Sequence, residues 1–219
     1  MIKNRLLTVL MCISTVILVI SFSIAIPIYV RPFYYCQIES FDLVEKTGFD
    51  KEKIITAYDE VLDYLTKPNK DFGVGEFKYT EDGKSHFQDC KILFSINAAA
   101  FLLSLFLIIL LSVFSNKKYF QFSRPFGKHF TFICGLVTLT LFLLIGIFIL
   151  FDFGKAFISF HNIFFFGKDN WVFNTTTDTI IKILPKEFFL NCAVLIVSCI
   201  LVISSSLMIF GALKGEKKL

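Results

Sequence analysis

The sequence predicts an all-α integral membrane protein with four transmembrane helices and an extracytoplasmic cap built from the TM1-TM2 and TM3-TM4 loops. Three observations carry that prediction: a composition that is 55% hydrophobic with 29 phenylalanines, four long apolar runs, and basic residues gathered on one side of those runs. A membrane-spanning helix needs roughly 20 mostly apolar residues. Four stretches meet that length, at about 6–30, 92–114, 130–151 and 188–213, and none contains Asp, Glu, Lys or Arg. The whole chain, 1–219, reads as a single membrane domain.

The first run follows Lys3 and Arg5, as the apolar core of a signal peptide does. It is longer than the ~7–15 residues usual there, and Ser23-Ile24-Ala25 leads into Ile26-Pro27, a poor cleavage context. An uncleaved span is therefore expected.

Charge sets the orientation. The N-terminal tip, the 115–129 connection and the tail carry Lys3, Arg5, Lys117, Lys118, Arg124, Lys128, Lys214, Lys217 and Lys218 against the single acid Glu216. Loops rich in Lys and Arg stay in the cytoplasm. The connections 31–91 and 152–187 hold 13 basic and 17 acidic residues and are placed outside. The expected location is thus the cell membrane, multi-pass, with both termini cytoplasmic. Topology accounts for the net charge of +4, so no nucleic-acid partner is implied.

In the first outer loop, Asp50-Lys51-Glu52-Lys53 opens a helix with Ile54, Tyr58, Val61, Leu62 and Leu65 on one stripe, ending before Lys67-Pro68. Gly73-Val74-Gly75 then interrupts the chain. Phe77-Lys78-Tyr79 followed by Glu81-Asp82-Gly83 reads as an extended segment and turn. Ser85 with Gln88 fits a capping box that starts the second membrane helix. His86 and Asp89 fall one turn apart on nearly the same face, so the carboxylate can orient the imidazole. The plainer reading is an acid near the positive end of a helix dipole and a polar residue at an interface.

In the second outer loop, Phe157, Phe160, Phe164, Phe165 and Phe166 surround His161 and Asn162, ahead of Gly167-Lys168-Asp169-Asn170-Trp171. Such an aromatic belt belongs at a membrane interface. A histidine inside it needs a partner, because burying it unpaired is costly. Asn174 to Asp178 offers caps for a short amphipathic helix through Ile180, Ile181, Ile183 and Leu184 that stops at Pro185. His129, at the cytoplasmic entry of the third span, is assigned an interfacial role. Ser95, Asn97, Ser104, Thr138 and Thr140 read as helix-packing polar residues. Cys36 and Cys90 both lie near the outer surface and can form a disulfide, which nothing in their spacing demands. No metal-ligand spacing and no cofactor motif appears.

Ser85-His86-Phe87-Gln88-Asp89-Cys90-Lys91 resembles the H-x-x-D-x-K motif of the lipoprotein intramolecular transacylases of low-GC Gram-positive bacteria, a four-span family also catalogued as a domain of unknown function. Phe160-His161-Asn162-Ile163-Phe164-Phe165-Phe166, Asp169-Asn170-Trp171 and Leu184-Pro185-Lys186-Glu187-Phe188-Phe189 resemble that family's second signature, in order and spacing. The likeness extends over the whole chain. It implies an acyltransferase acting on diacylglyceryl-modified bacterial lipoproteins, moving the sn-2 acyl chain of the modified cysteine to its own α-amino group and leaving a lyso-form lipoprotein. The two histidines essential to the family correspond to His86 and His161. Cys90 stands where an aliphatic residue is expected, which argues against a shared thiol mechanism.

The residues suit that chemistry. Donor ester and acceptor amine share one molecule, so holding them in register supplies effective molarities on the order of 10⁵ M or more, and no enzyme nucleophile is needed. The absence of a G-x-S-x-G elbow agrees. What the reaction needs is proton transfer, which two imidazoles provide. Asp89 is expected to orient His86, and Asn162, Asn170 and the Trp171 indole to bind the oxyanion or headgroup. The expected partners are lipoproteins and membrane lipid, with the chain acting as a monomer. The alternative is a non-enzymatic four-span scaffold or adaptor. A transporter or channel is disfavoured by the charge-free spans.

Overall fold

The computed structural model describes residues 3–216. Lys217 and Lys218, counted above in the basic tail, lie outside the described residues. The helices are α1 (Arg5–Tyr29), α2 (Pro32–Tyr35), α3 (Leu43–Thr47), α4 (Lys51–Thr66), α5 (Glu81–Asn116), α6 (Phe130–Phe151), α7 (Phe153–Phe164) and α8 (Lys186–Glu216). Short 3-10 turns cover Pro125–Gly127 and Thr179–Ile183. A two-residue parallel pair joins Lys3–Asn4 to Gln121–Phe122. Four helices, α1, α5, α6 and α8, are long and apolar enough to cross a membrane, which establishes the four-helix all-α membrane class.

Packing divides the chain into two compact units. Among the described residues, a bundle unit comprises 3–25, Asn97–Phe148 and 194–216. A histidine unit comprises Ile26–Ile96 and Ile149–Ala193.

In the bundle unit several hydroxyls are satisfied within their own helix. Thr15, Ser21 and Ser23 return their hydroxyls to the carbonyls four residues earlier in α1, each at 2.8 Å. In a hydrocarbon medium no water is available to do this. Asn97 of α5 donates across to the Ser21 carbonyl at 3.1 Å, tying α5 to α1. Met11, Leu111, Phe120, Phe130 and Cys134 form a buried cluster. Two glycines set the approach of α6 and α8: a Cβ on Gly211 would lie 2.4 Å from the Phe132 nitrogen, and one on Gly135 2.5 Å from the Ser204 carbonyl oxygen. Small residues of this kind let membrane helices pack backbone to backbone.

The histidine unit is stapled by longer-range contacts. Asp50 caps α4 by accepting the Lys53 N–H at 2.9 Å. The α4 stripe is buried as its periodicity predicts: Ile54, Tyr58, Val61, Leu62 and Leu65 are all inside. Tyr58 stacks on Tyr34 at 3.7 Å, and both rings meet Phe188 edge-on. The Tyr34 hydroxyl donates to the Ile183 carbonyl at 2.8 Å. Arg31 forks between Asp59 and Asp63 on successive turns of α4.

The start of α5 differs from the sequence expectation. Ser85 does not cap it, and Glu81-Asp82-Gly83 is not a turn: the helix begins at Glu81. Thr80 is the cap, accepting the Gly83 N–H at 3.1 Å. Its own N–H and hydroxyl donate to Asp178 at 2.7 and 2.8 Å. Asp178 is buried, and a Cβ on Gly83 would come 2.6 Å from its carboxylate oxygen. A contact made 98 residues away therefore outweighs the local capping pattern. The segment after Asp178 is likewise a 3-10 turn, Thr179–Ile183, rather than an α-helix. Its backbone is held in place by the Tyr34 and Lys78 contacts.

With 36 residues rising about 1.5 Å each, α5 exceeds the ~30 Å of a hydrocarbon core. Its apolar run begins at Ile92, and Glu81, Asp82, Lys84, His86, Asp89 and Lys91 all precede it.

Candidate active site

Two helices position the two histidines. His86 lies in the polar head of α5. His161 lies in α7, which starts where Asp152 accepts the Lys155 N–H at 3.0 Å. Phe157, Phe160, His161 and Phe164 recur at helical spacing along α7, a periodicity hidden in the sequence by the density of phenylalanine. The two imidazole centroids are 5.7 Å apart, and the residues are only 6% and 7% exposed.

Aromatic rings enclose the pair. Phe165 packs on His86 at 4.7 Å and on His161 at 5.5 Å. Trp171 lies over His161 at 4.5 Å and 32°. Phe157 covers the same ring at 4.2 Å, and Phe173 meets His86 at 5.6 Å.

Hydrogen bonding distinguishes the two rings. His161 Nδ1 is 2.7 Å from the Phe157 carbonyl oxygen. A carbonyl only accepts, so Nδ1 carries the hydrogen and Nε2 presents a lone pair. His86 Nδ1 is buried and makes no hydrogen bond among the described residues. Its Nε2 lies 3.5 Å from the Cys90 thiol. Burial lowers both imidazoles: His86 falls to about 4, helped by the nearby His161 and Lys168 and opposed by Asp89. His161 is also held below its ordinary value by burial, with the Phe157 hydrogen bond working the other way. Both rings are therefore neutral near pH 7, the form that accepts a proton.

The expected supporting residues are placed differently. Asp89 does not orient His86. Its carboxylate instead takes the Lys168 ammonium at 2.6 Å and the Asn170 amide at 3.1 Å. Burial works against its charge, but these two partners win and hold the carboxyl below its usual value. Asn170 also donates to Ser85 at 3.4 Å, and the Trp171 indole donates to the Lys168 carbonyl at 3.1 Å. The donors expected to meet an oxyanion are thus spent on holding the 165–171 loop. Asn162 is exposed on α7, and its side chain makes no hydrogen bond among the described residues. Lys168, Phe165 and Phe173 complete the site and carried no distinguishing signal in the sequence. Cys36 and Cys90 are free thiols. Among the described residues no group of three or more His, Cys, Asp or Glu is arranged to hold a metal ion.

His129, by contrast, belongs to the bundle unit, where its Nδ1 accepts the Thr131 hydroxyl at 2.9 Å at the start of α6.

The fold resembles solved structures described as the membrane integral lipoprotein intramolecular transacylase Lit from Bacillus cereus. One matches with a TM-score of 0.84 and 23% identity, covering 97% of each chain. A second, of a form with one histidine replaced by arginine, gives 0.77 and 22% over 98% of this chain and 94% of that one. A third, with a histidine replaced by alanine, gives 0.77 and 22% over 97% and 95%. At these identities the likeness establishes the fold. No curated protein sequence matches. The profile of the family described as lipoprotein intramolecular transacylase Lit matches residues 9–189, and with most of its length so matched the chain belongs to that family.

Proposed function

We propose that His86 and His161 carry the intramolecular acyl transfer of this family, moving the sn-2 acyl chain of a diacylglyceryl-cysteine onto the α-amine of the same cysteine. The observation that supports this reading is the meeting of two buried, neutral imidazoles 5.7 Å apart on separate helices, one with its Nε2 lone pair free. A scaffold has no use for two such rings held by aromatic packing, and family membership favours the transacylase reading.

His161 Nε2 takes a proton from the α-ammonium, whose ordinary value is about 8, and passes it to solvent. The freed amine attacks the ester carbonyl carbon. As the new C–N bond forms, the C–O bond to the glyceryl sn-2 oxygen breaks. A second nitrogen proton travels through the imidazole pair to that oxygen, and the third stays on the amide. In this reading His86 relays this proton, its buried Nδ1 having no hydrogen-bond partner among the described residues. Asp89, Lys168, Asn170 and Trp171 hold the loop over His161 and touch the reaction through it. Each imidazole contributes ~10²–10⁴-fold.

The same reading places the site on the extracytoplasmic side, both termini in the cytoplasm, and one chain as the working unit. It is tested by expressing the chain with a diacylglyceryl lipoprotein and weighing the N-terminal peptide. The expected product is the N-acyl lyso form with no change in total acyl content. A peptide that stays diacylglyceryl with a free amine rejects the reading.

A further inference from the structure

One cavity of the histidine unit takes no part in the proton transfers above. It holds about 300 Å³, and its walls include Ile92 and Leu93 of α5, Ile163 of α7, and Phe165, with Asp89 and Lys168 at its polar end. The polar pair is closed on itself, Lys168 Nζ lying 2.6 Å from the Asp89 carboxylate. One turn further along α5, at Ile92 and Leu93, the helix enters its apolar run. Ile92 and Ile163 are 54% and 71% exposed, so these walls offer hydrocarbon surface to an occupant. Phe165 is the opposite case. Only 4% exposed, its ring touches both histidines while the residue also lines the cavity.

That lining, an ion pair beside apolar side chains, with only the Phe165 ring between it and the histidines, matches an ester with its fatty tail. A peptide or nucleotide would find one already paired ion pair and little else to bond. A hydrocarbon chain would remove apolar wall from contact with other lipid along its whole length and be positioned by shape.

We propose that this cavity is the binding site of the migrating acyl chain: the sn-2 chain lies along Ile92, Leu93 and Ile163, with its carbonyl carbon on the histidine side of Phe165. The inference rests on the transfer reading above and adds to it a residue set that measures chain length. A bulk phospholipid tail has the same chemistry, and the experiment separates the two.

The full-length protein, reconstituted in vesicles, is given diacylglyceryl-cysteine lipopeptides that share one sn-1 chain and carry either an octanoyl or a hexadecanoyl sn-2 chain. The ratio of N-acylation rates, long over short, is read by mass spectrometry. Leu93→Trp and Ile163→Trp narrow the cavity from two different helices, α5 and α7, and in each the ratio is expected to fall about tenfold or more. Ile96→Trp, on the same helix and 59% exposed but not lining the cavity, is expected to keep the wild-type ratio. If Leu93→Trp fails to fold, Ile163→Trp at its exposed position reads the same ratio. An unchanged ratio, or an equal loss on both substrates, overturns the assignment. A bulk lipid in the cavity gives the first of these. Failure of the wild type on every substrate overturns the transfer reading as well, whereas wild-type turnover with flat ratios removes only the acyl site.

Discussion

The bundle unit and the histidine unit deal with polar groups in opposite ways. In the bundle unit, hydroxyls fold back onto their own helix, one asparagine reaches a neighbouring carbonyl, and glycines bring backbones together. In the histidine unit, the important polar contacts join residues far apart in sequence: Asp89 to Lys168, Thr80 to Asp178, Tyr34 to Ile183. Local satisfaction of this kind suits a part of the chain that has to pack, and the buried Ser123 and Ser204 hydroxyls are its exceptions among the described residues. Long-range satisfaction fixes loops against helices, and it leaves two imidazoles enclosed by rings, His161 with one hydrogen bond to the Phe157 carbonyl and His86 Nδ1 with none among the described residues. The comparison teaches that the two units hold their polar groups by different means, and the proposed chemistry is assigned to the one rich in aromatic packing.

The comparison breaks most decisively at the histidines. His86→Ala and His161→Ala are each expected to lower lyso-form production by about 10²-fold or more while the protein still inserts. His129→Ala, in the bundle unit, is expected to stay near wild type by the same mass-spectrometric readout. Equal losses at all three would mean that the division between the units has no catalytic meaning. The ionisation of His161 sharpens the point. Because burial lowers it, the ring is neutral and able to accept a proton at pH 7, and it becomes protonated only as pH falls below the ordinary value of about 6.5. A ring-nitrogen NMR titration with a His161 midpoint above that value contradicts the geometry.

A smaller effect is expected from the loop staple. Asp89→Asn removes the carboxylate that holds both Lys168 and Asn170, and Lys168→Met removes one partner while keeping the stem. Each is expected to cost about tenfold in rate by letting Trp171 drift from His161, since misplacement of positioning groups by ~1 Å costs as much as 10²-fold. If Asp89 oriented His86 directly, Asp89→Asn would cost far more than Lys168→Met. Similar losses in the two variants support the loop role.

The bundle unit is probed by Gly211→Leu. Its Cβ alone would meet the Phe132 backbone nitrogen at 2.4 Å, so α6 and α8 must separate. Overpacking of this kind costs about 1–3 kcal/mol, and the variant is expected to melt several degrees lower. A full thermal stability at this position would show that the close approach is not a constraint.

How legible each part was follows from the same distinction. The α4 stripe was readable because burial repeats every three to four residues and Asp50 stands at its head. His86 and His161 stood out because they sit in short motifs, and the structure brings their rings within 5.7 Å. The start of α5 was misread because the Thr80 cap depends on Asp178, a partner the local sequence does not contain. Helix α7 was missed because a run in which nearly every face carries phenylalanine has no visible period and passes for an interfacial belt. The pairing of Asp89 was misassigned for the reason that applies to any tertiary contact: spacing shows that His86 can reach it, not that Lys168 reaches it first.

The smallest effect is expected at Cys90, whose thiol lies 3.5 Å from His86 Nε2 and invites a nucleophilic reading. Burial pushes that thiol up to about 12, so at neutral pH it is not the thiolate a covalent mechanism needs. An S–H contact at this distance is a weak hydrogen bond, and a donor and acceptor held on one substrate molecule require no acyl-enzyme. Cys90→Val keeps the volume and removes the contact, and Cys90→Ser keeps a donor. Both are expected to work within about threefold of wild type, a difference below ~1 kcal/mol in barrier. A hundredfold loss in the valine variant, or a thioester recovered on Cys90 by acid-quenched mass spectrometry, would put a nucleophile in the site and return the imidazoles to the role of activating it.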